Sequence, residues 1–336
     1  MSMRGAIMRI LSDGSFHSGT DIGNLLGVTR AAVSKAVGTL IASGVEIHRV
    51  AGRGYRLEGA FEPLDGDRIQ ACLGTDAAMV GGVQVCDEVD STNLELLRMP
   101  AVGVCGQVCI AESQRSGRGR RGRSWTATPY ANLMLSIGWC FGEGLPAVAG
   151  LSLAAGVAAV RALREFGVDG AGLKWPNDLL WDGRKLGGLL IDLRGEASGP
   201  CLAVTGIGIN VRISEQDAAG IDQPWADLHE VLGTTVDRNR LAALVMREFA
   251  VTLQRFGRDG LEPFRDEWNR SHCYQGRRVR LTGAGPVSEG VVEGIDAAGA
   301  LLVRDDEGSL RAFHSGEVSL RGADRAATPD LPLSGA

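Results

Sequence analysis

Apolar positions change their spacing three times along the chain, and each change predicts a different kind of unit. Across "HSGTDIGNLLGVTRAAVSKAVGTLIASG" (residues 17–44) they recur at helical intervals on either side of Gly27. Val33, Val37, Leu40 and Ile41 fall at i, i+4, i+7 and i+8, one buried stripe on the second of two helices. A hydroxyl accepts from the free N–H groups of a helix start, so Ser18 or Thr20 suits the first cap and Thr29 the second. Arg30, Ser34 and Lys35 lie off the stripe, clustered where a recognition helix touches bases and phosphates. "EIHRVAGRGYRLEG" then alternates about a glycine-containing turn at 51–54, the pattern of a hairpin. Together these predict a winged helix-turn-helix over residues 1–60, with Arg49, Arg53 and Arg56 available to phosphates. The bland alternative is a small helical module that binds protein through a solvated charged face.

"FEPLDG" (61–66) has the Pro and Gly of a linker. From 67 to 272 short apolar strands such as "QVCIAE", "NLMLSIGWC" and "LAVTGIGINV" alternate with helical stretches at 147–166 and 238–258, a mixed α/β pattern. Between 276 and 321 the pattern becomes short strands with turn signals, as in a small SH3-like β-barrel. Residues 322–336 offer little to bury, and disorder is expected there. The expected class is therefore α+β, in three domains. The uncharged stretch Gly144–Val160 is mostly Ala and Gly, too weakly apolar to span a bilayer, and reads as a buried helix.

Charge sharpens this division. The chain of 336 residues has a formal net charge of −5, yet residues 1–60 hold seven Lys/Arg against four Asp/Glu, a net of +3. The remainder therefore carries −8, which suits a small DNA-facing module on an acidic body. Seven cysteines (72, 86, 105, 109, 140, 201, 273) show no CxxC spacing and no zinc set. They are expected to be reduced core thiols of a cytosolic protein. The N-terminus has no long apolar run of the signal-peptide kind.

The candidate chemistry centres on "SGRGRRGRSW" (116–125), which with Arg115 places five arginines within nine residues. It matches neither GxxxxGK[ST] nor GxGxxG, so classical nucleotide loops are unsupported. Glycines free the backbone and arginines supply forked, always-charged donors, a mobile loop suited to closing over a bound phosphate. A solvated basic loop or an RNA-binding run is the plain alternative. "DSTN" (90–93) offers a carboxylate, two hydroxyls and an amide in one turn, although Ser91 or Thr92 would also serve as an ordinary helix cap. "KWPND" (174–178) sets a lysine, an amide and a carboxylate around a stiff Trp-Pro. Lys185 then starts a strand with Gly187 and Gly188, and "TGIGIN" repeats the device on a strand ending at Asn210.

"DSTN", "AESQRSGRGRRGRSW", "KWPND", "GRKLGGLL" and "GIGIN", in this order, resemble a biotin–protein ligase. With the N-terminal helices and "GRGYRL", the chain resembles the bifunctional kind that also represses the biotin operon, over about residues 8–321. The resemblance implies a catalytic domain of the biotin/lipoate ligase type, class II synthetase-like, at 67–272. It implies ATP with Mg²⁺ and biotin as reactants, without a tightly bound cofactor. It further implies a biotin carboxyl carrier protein and operator DNA as partners, a ligand-linked homodimer and a cytoplasmic, membrane-free location.

Residue by residue, the resemblance makes Lys185 and Arg118 catalytic, with Lys185 bridging carboxylate and phosphate. Ser91, Thr92, Asn93, Gln114, Arg118, Gly119, Arg120, Lys185 and Gly188 would bind biotin, with Leu189 in the apolar wall. Arg118, Arg120, Arg121, Trp125, Lys185, Asn210 and Trp225 would bind ATP and the adenylate. Asp178 would help hold Mg²⁺, although an Asp beside Asn is equally a turn residue. Thr29, Arg30, Ser34, Lys35, Arg49 and Arg53 would meet DNA. Three rivals stay open: a lipoate–protein ligase, a biotin-sensing repressor without catalysis, and a ligase whose N-terminal module no longer binds DNA.

Overall fold

Hydroxyl caps set the first helices in this computed structural model, which describes residues 2–58, 61–100, 103–196, 198–283, 288–314 and 318–322. Ser2 caps α1 (Met3–Leu11), Ser18 accepts from Asp21 N–H at 3.0 Å to start α2 (Gly19–Leu26), and Thr29 accepts from Ala32 N–H at 3.2 Å to start α3 (Arg30–Ala42). Gly27, with φ 66°, ends α2 in the left-handed conformation that glycine tolerates. β1 (Ile47–Val50) and β2 (Gly54–Leu57) pair antiparallel as the wing. The sequence reading missed α1, whose Ile7, Met8 and Leu11 fill the domain core. It also misplaced one position, because Ile41 is 38% exposed while Ala36 is buried. At 100° per residue Ile41 lies roughly 90° from the centre of the stripe, at its margin.

The body is built on a seven-stranded sheet of order β3-β4-β5-β9-β8-β7-β6. Its strands are β3 (Gly82–Cys86), β4 (Gln107–Ala111), β5 (Leu133–Phe141), β6 (Ala171–Lys174), β7 (Asp178–Trp181), β8 (Arg184–Gly195) and β9 (Cys201–Ile209). β3 and β4 are parallel and every other pair antiparallel. The helices are α4 (Gly66–Leu73), α5 (Thr92–Arg98), α6 (Leu151–Phe166), α7 (Glu215–Ala218), α8 (Leu228–Leu232), α9 (Arg238–Asp259) and α10 (Glu262–Ser271). α6 and α9 pack against one face of the sheet, α5 against the other. Contrary to the expectation of too little apolar character to span a bilayer, Leu145–Phe166 is long and apolar enough to cross a membrane; it is nevertheless mostly buried inside the fold, as the buried-helix reading expects.

Five antiparallel strands complete the chain in the order β13-β12-β11-β10-β14: β10 (Arg278–Gly283), β11 (Ser288–Ile295), β12 (Leu301–Arg304), β13 (Leu310–Phe313) and β14 (Val318–Gly322). Their buried Val279, Leu281, Val292 and Leu301 join the same hydrophobic core as the central sheet. Gly322 closes β14, and the tail expected beyond it lies outside the described residues.

Two further expectations need correction. The 61–66 linker is packed rather than loose: Leu64 is fully buried and its N–H donates to Glu112 at 2.7 Å. The cysteines are not all reduced core thiols, since Cys105 and Cys140 form a disulfide with Cα atoms 5.4 Å apart, and both are exposed. The pairing follows from the β4–β5 register, in which Val108 opposes Ile137; three further steps bring Cys105 opposite Cys140. Cys72 is exposed as well, whereas Cys109 and Cys201 are buried.

The N-terminal domain is fastened to the body. Arg212 pairs with Glu46 and Arg4 with Glu88, both at 2.8 Å. Tyr130, from the loop before β5, is buried in the helix-turn-helix core and meets Phe61 edge-on at 6.1 Å.

Candidate active site

Strand alternation builds the floor of the site. Along β9, Cys201, Ala203, Ile207 and Ile209 face the core with α6, which turns Leu202, Val204, Gly206 and Gly208 to the other side. On that side a Cβ at Gly206 would collide with the Asn93 carboxamide, and one at Gly208 would come within 2.5 Å of the Trp125 indole. The glycines of "TGIGIN" therefore make room for other side chains, as a close approach requires. The same alternation puts Leu189 in the core with α6, 3% exposed, so the wall expected of it falls to the cleft side of β8, at Gly188, Leu190 and Asp192.

A hydrogen-bond chain forms one wall. Thr92 N–H donates to Gln114 Oε1 at 2.8 Å. Ser136 Oγ lies 2.7 Å from Thr92 Oγ1 and 2.6 Å from Asn93 Oδ1. Because Asn93 Oδ1 only accepts, the Ser136 hydroxyl donates to it and accepts from Thr92. Asn93 Nδ2 donates to Asp192 Oδ2 at 2.8 Å and to the Leu190 carbonyl at 3.1 Å. Asn93 is thus tied at both ends of its amide, as framework. Ser91 stands at the N-cap of α5 without making a side-chain cap bond, contrary to the ordinary reading of a serine there.

The arginine segment is folded as a small hairpin above this floor. Gly119 N–H donates to Arg123 O at 2.7 Å and Trp125 N–H to Gly117 O at 2.8 Å. Arg121 (φ 56°) and Gly122 (φ 72°) turn the tip. Arg118 reaches Asp192 at 3.2 Å, and Arg120 donates to Asn177 Oδ1 at 3.4 Å. The Trp125 indole lies over Gly208, with its nitrogen buried and unpartnered among the described residues. The Lys185 ammonium stands 5.7 Å from that ring.

Opposite, the "KWPND" turn delivers charge. Its Trp175–Pro176 bond is cis, and the buried Trp175 indole donates to Gly299 O at 3.2 Å. Asn177 Nδ2 donates to Leu189 O at 2.6 Å, which leaves Asp178 beside Lys185, Nζ to Oδ1 2.8 Å. Burial pushes the Lys174 ammonium below its usual range; Asp178 opposes the shift, while Lys185, Arg321 and Arg123 add to it. Behind it His272 is buried, stacked on Trp268 at 4.5 Å, and held neutral by burial and by Lys174. Lys174 and Arg321 escaped the sequence reading. Lys174 stood inside a recognised motif without an assigned role, and nothing in the sequence ties Arg321, on the last strand, to the central domain.

The 222–230 loop is stitched to the same lysine. Lys185 N–H donates to Pro224 O at 2.9 Å and Ala226 N–H to Lys185 O at 3.0 Å, with Trp225 between them. Asn210 Nδ2 donates to the carbonyls of Lys185 and Ala226 at 3.2 and 3.1 Å, so its amide nitrogen is committed to that loop. Among the described residues no cluster of three or more His, Cys, Asp or Glu could hold a metal. At the N-terminal domain, Thr29, Arg30 and Lys35 are exposed at the start of α3, Ser34 is half-buried, and Arg49 and Arg53 are exposed on the wing. Arg53 and Arg56 lie over the Phe16 ring at 4.1 and 4.9 Å.

Three family descriptions match successive parts of this chain: "HTH domain" at residues 4–56, "Biotin/lipoate A/B protein ligase family" at 90–210 and "Biotin protein ligase C terminal domain" at 274–321. The chain is 39% identical to the bifunctional ligase/repressor BirA of Salmonella typhimurium over 318 residues, 95% of this chain and 97% of that protein. It belongs to the biotin protein ligase family, in the bifunctional ligase/repressor branch. The BirA of Escherichia coli is 38% identical over 319 residues, again covering 95% of this chain and 97% of that one. The biotin protein ligase of Aquifex aeolicus, solved with biotin and ATP, superposes with a TM-score of 0.61 at 28% identity, covering 72% of this chain and 99% of that one. Family membership gives the cleft its meaning. Lys185 from the ligase domain and Arg321 from the C-terminal domain both press their charge on Lys174, and Asp178, paired with Lys185, offsets it.

Proposed function

We propose that the protein is an ATP-dependent biotin–protein ligase that also represses transcription with its own reaction intermediate in hand. In the first step the biotin carboxylate oxygen attacks the α-phosphorus of ATP. The bond to the β-phosphate breaks, giving biotinyl-5′-adenylate and pyrophosphate. In the second, a lysine amine of a biotin carboxyl carrier protein attacks the acyl carbon and AMP leaves. Neither step requires an enzyme nucleophile; both require two anions to be held together. Unit charges about 4 Å apart interact with roughly 4 kcal/mol at an effective dielectric near 20, and a cation between them removes that repulsion.

One observation supports the reading: the Lys185–Asp178 pair and the Asp192–Arg118 pair lie on the same glycine-floored side of the sheet. Lys185 bridges carboxylate and phosphate. Ser91, Thr92 and Gln114 take the polar ring of biotin, and Gly188 lets the ligand approach β8. Arg118, Gly119, Arg120 and Arg121 close over the phosphate, while Trp125 and Trp225 flank the adenine. Lys174 and Arg321 extend the positive wall towards the departing pyrophosphate.

Asp178 fits Mg²⁺ only as a single carboxylate for an ion already carried by ATP phosphates, since no acidic cage surrounds it among the described residues. The ion would supply charge neutralisation at the phosphates.

Arg30, Ser34 and Lys35 at the start of α3, with Arg49 and Arg53 of the wing, meet operator DNA. Adenylate binding favours a homodimer that spans two half-sites. ATP, carrier protein and DNA together place the protein in the cytoplasm. Biotin-dependent ATP–pyrophosphate exchange followed by biotin transfer to a carrier tests the enzyme. No exchange leaves a mere sensor, and equal exchange with lipoate defeats the choice of substrate. Gel shifts that are indifferent to biotinyl-adenylate would discard the regulatory half.

A further inference from the structure

Arg118 already grips an anion, and that anion belongs to the protein. Its two terminal nitrogens face the two oxygens of Asp192, at 3.2 and 3.4 Å. This fork-on-fork geometry is the one by which a guanidinium recognises a carboxylate or a phosphate. Asp192 is fixed from behind by Asn93 Nδ2 at 2.8 Å, and Asn93 in turn by Ser136 at 2.6 Å and by the Leu190 carbonyl at 3.1 Å. The carboxylate therefore cannot follow Arg118 if the hairpin turns its guanidinium towards a ligand. Any such movement breaks the pair. The side chains are 41% and 20% exposed, so the pair is partly hydrated and yields to a stronger anion.

We propose that Asp192 is a positioning residue, a latch that holds Arg118 beside the ligand site and competes with the ligand's phosphate or carboxylate for it. The inference rests on the reading of the cleft as an adenylate-forming site. With no ligand, the pair keeps the hairpin closed. Once Arg118 has moved to the ligand, Asp192 is left as an unpaired negative charge beside a bound anion and limits how tightly the adenylate is held.

Asp192→Asn keeps an oxygen for the Asn93 donor and removes the charge. In the full-length protein, pre-formed biotinyl-adenylate should leave the variant about fivefold more slowly, the equivalent of about 1 kcal/mol. The ligand-free arginine hairpin should at the same time be cut faster by trypsin. Damage to the fold would move both readouts towards loosening, so only the latch gives opposite signs. Release that is unchanged or faster overturns the proposal. Asp192→Glu, which restores the charge, should return release to within twofold of wild type; if it behaves like the asparagine variant, charge is not the cause. Failure of the wild-type protein to bind biotinyl-adenylate overturns the cleft reading itself, and this inference with it.

Discussion

Lys185 Nζ stands 2.8 Å from Asp178 Oδ1 because β7 and β8 slip register between Leu179 and Leu180. Gly188, the strand partner of Asp178, leaves the space between them open: a Cβ there would sit 3.5 Å from Asp178 Oδ1 and 3.6 Å from Lys185 Cε. The lysine is thus aimed by backbone pairing, and its side chain, only 19% exposed, is held between Asp178 and the Trp125 ring. Lys185→Ala should lower ATP–pyrophosphate exchange by about a thousandfold, the scale on which a single charge-stabilising donor acts. Its melting temperature should stay within a few degrees of wild type. Near-normal exchange would remove Lys185 from the chemistry.

The second patch of charge serves a different partner. Arg30 and Lys35 are exposed at the start of α3 and make no contribution to the cleft. Replacing both with alanine should weaken operator binding and reduce the salt dependence of that binding by about two counterions per protomer. Pyrophosphate exchange should be unchanged. A double variant with an unaltered salt slope would place the DNA contacts elsewhere.

The parts legible in the sequence were those with a local cause. Ser18 and Thr29 cap the helices they precede, and Gly27 ends α2 as the turn signal predicts. Lys185 and Asp178 were found through motifs that lie seven residues apart. What stayed hidden depends on pairing between distant segments. Arg321 lies 147 positions from Lys174 in the chain, yet its charge reaches that ammonium. Asp192 carries no motif at all, and only the β8 register turns it towards Asn93 and Arg118. The Cys105–Cys140 bridge was hidden for the same reason, since cysteine spacing does not reveal ladder register.

Tyr130 joins the two domains. It is 6% exposed, packs in the helix-turn-helix core, and follows Trp125 of the hairpin by five residues. Cavities of about 370 and 480 Å³ flank this joint, and both are lined by Phe61 and Tyr130. Tyr130→Ala should cost about 3 kcal/mol, in the range for deleting a buried aromatic ring. The loss should fall on the contact between domains, so calorimetry should show the N-terminal domain melting first as a separate transition. A single unshifted transition would show that the ring bears no load.

His272 gives the fold a dependence on pH whose sign follows from burial. Desolvation, with the Lys174 charge second, brings its pKa from 6.5 down to about 3. The folded protein therefore keeps His272 neutral while the unfolded chain takes up a proton below pH 6.5. The stabilisation is complete above that pH and is lost as pH falls, by about 1.4 kcal/mol per unit until the folded pKa is reached. Glu165 and Glu267, held low by hydrogen bonds from Arg247 and Arg161, also lose stability in acid, but they do so equally in any variant at 272. In His272→Gln an amide oxygen can still accept the Trp175 N–H, which the imidazole accepts at 3.4 Å, while the titration is removed. Urea unfolding from pH 7.5 to 4.5 should therefore show wild type losing about 2 to 3 kcal/mol more than the variant, nearly all of it below pH 6.5. Parallel curves would mean that the imidazole is protonated in the folded state, and that a positive charge then stands beside Lys174.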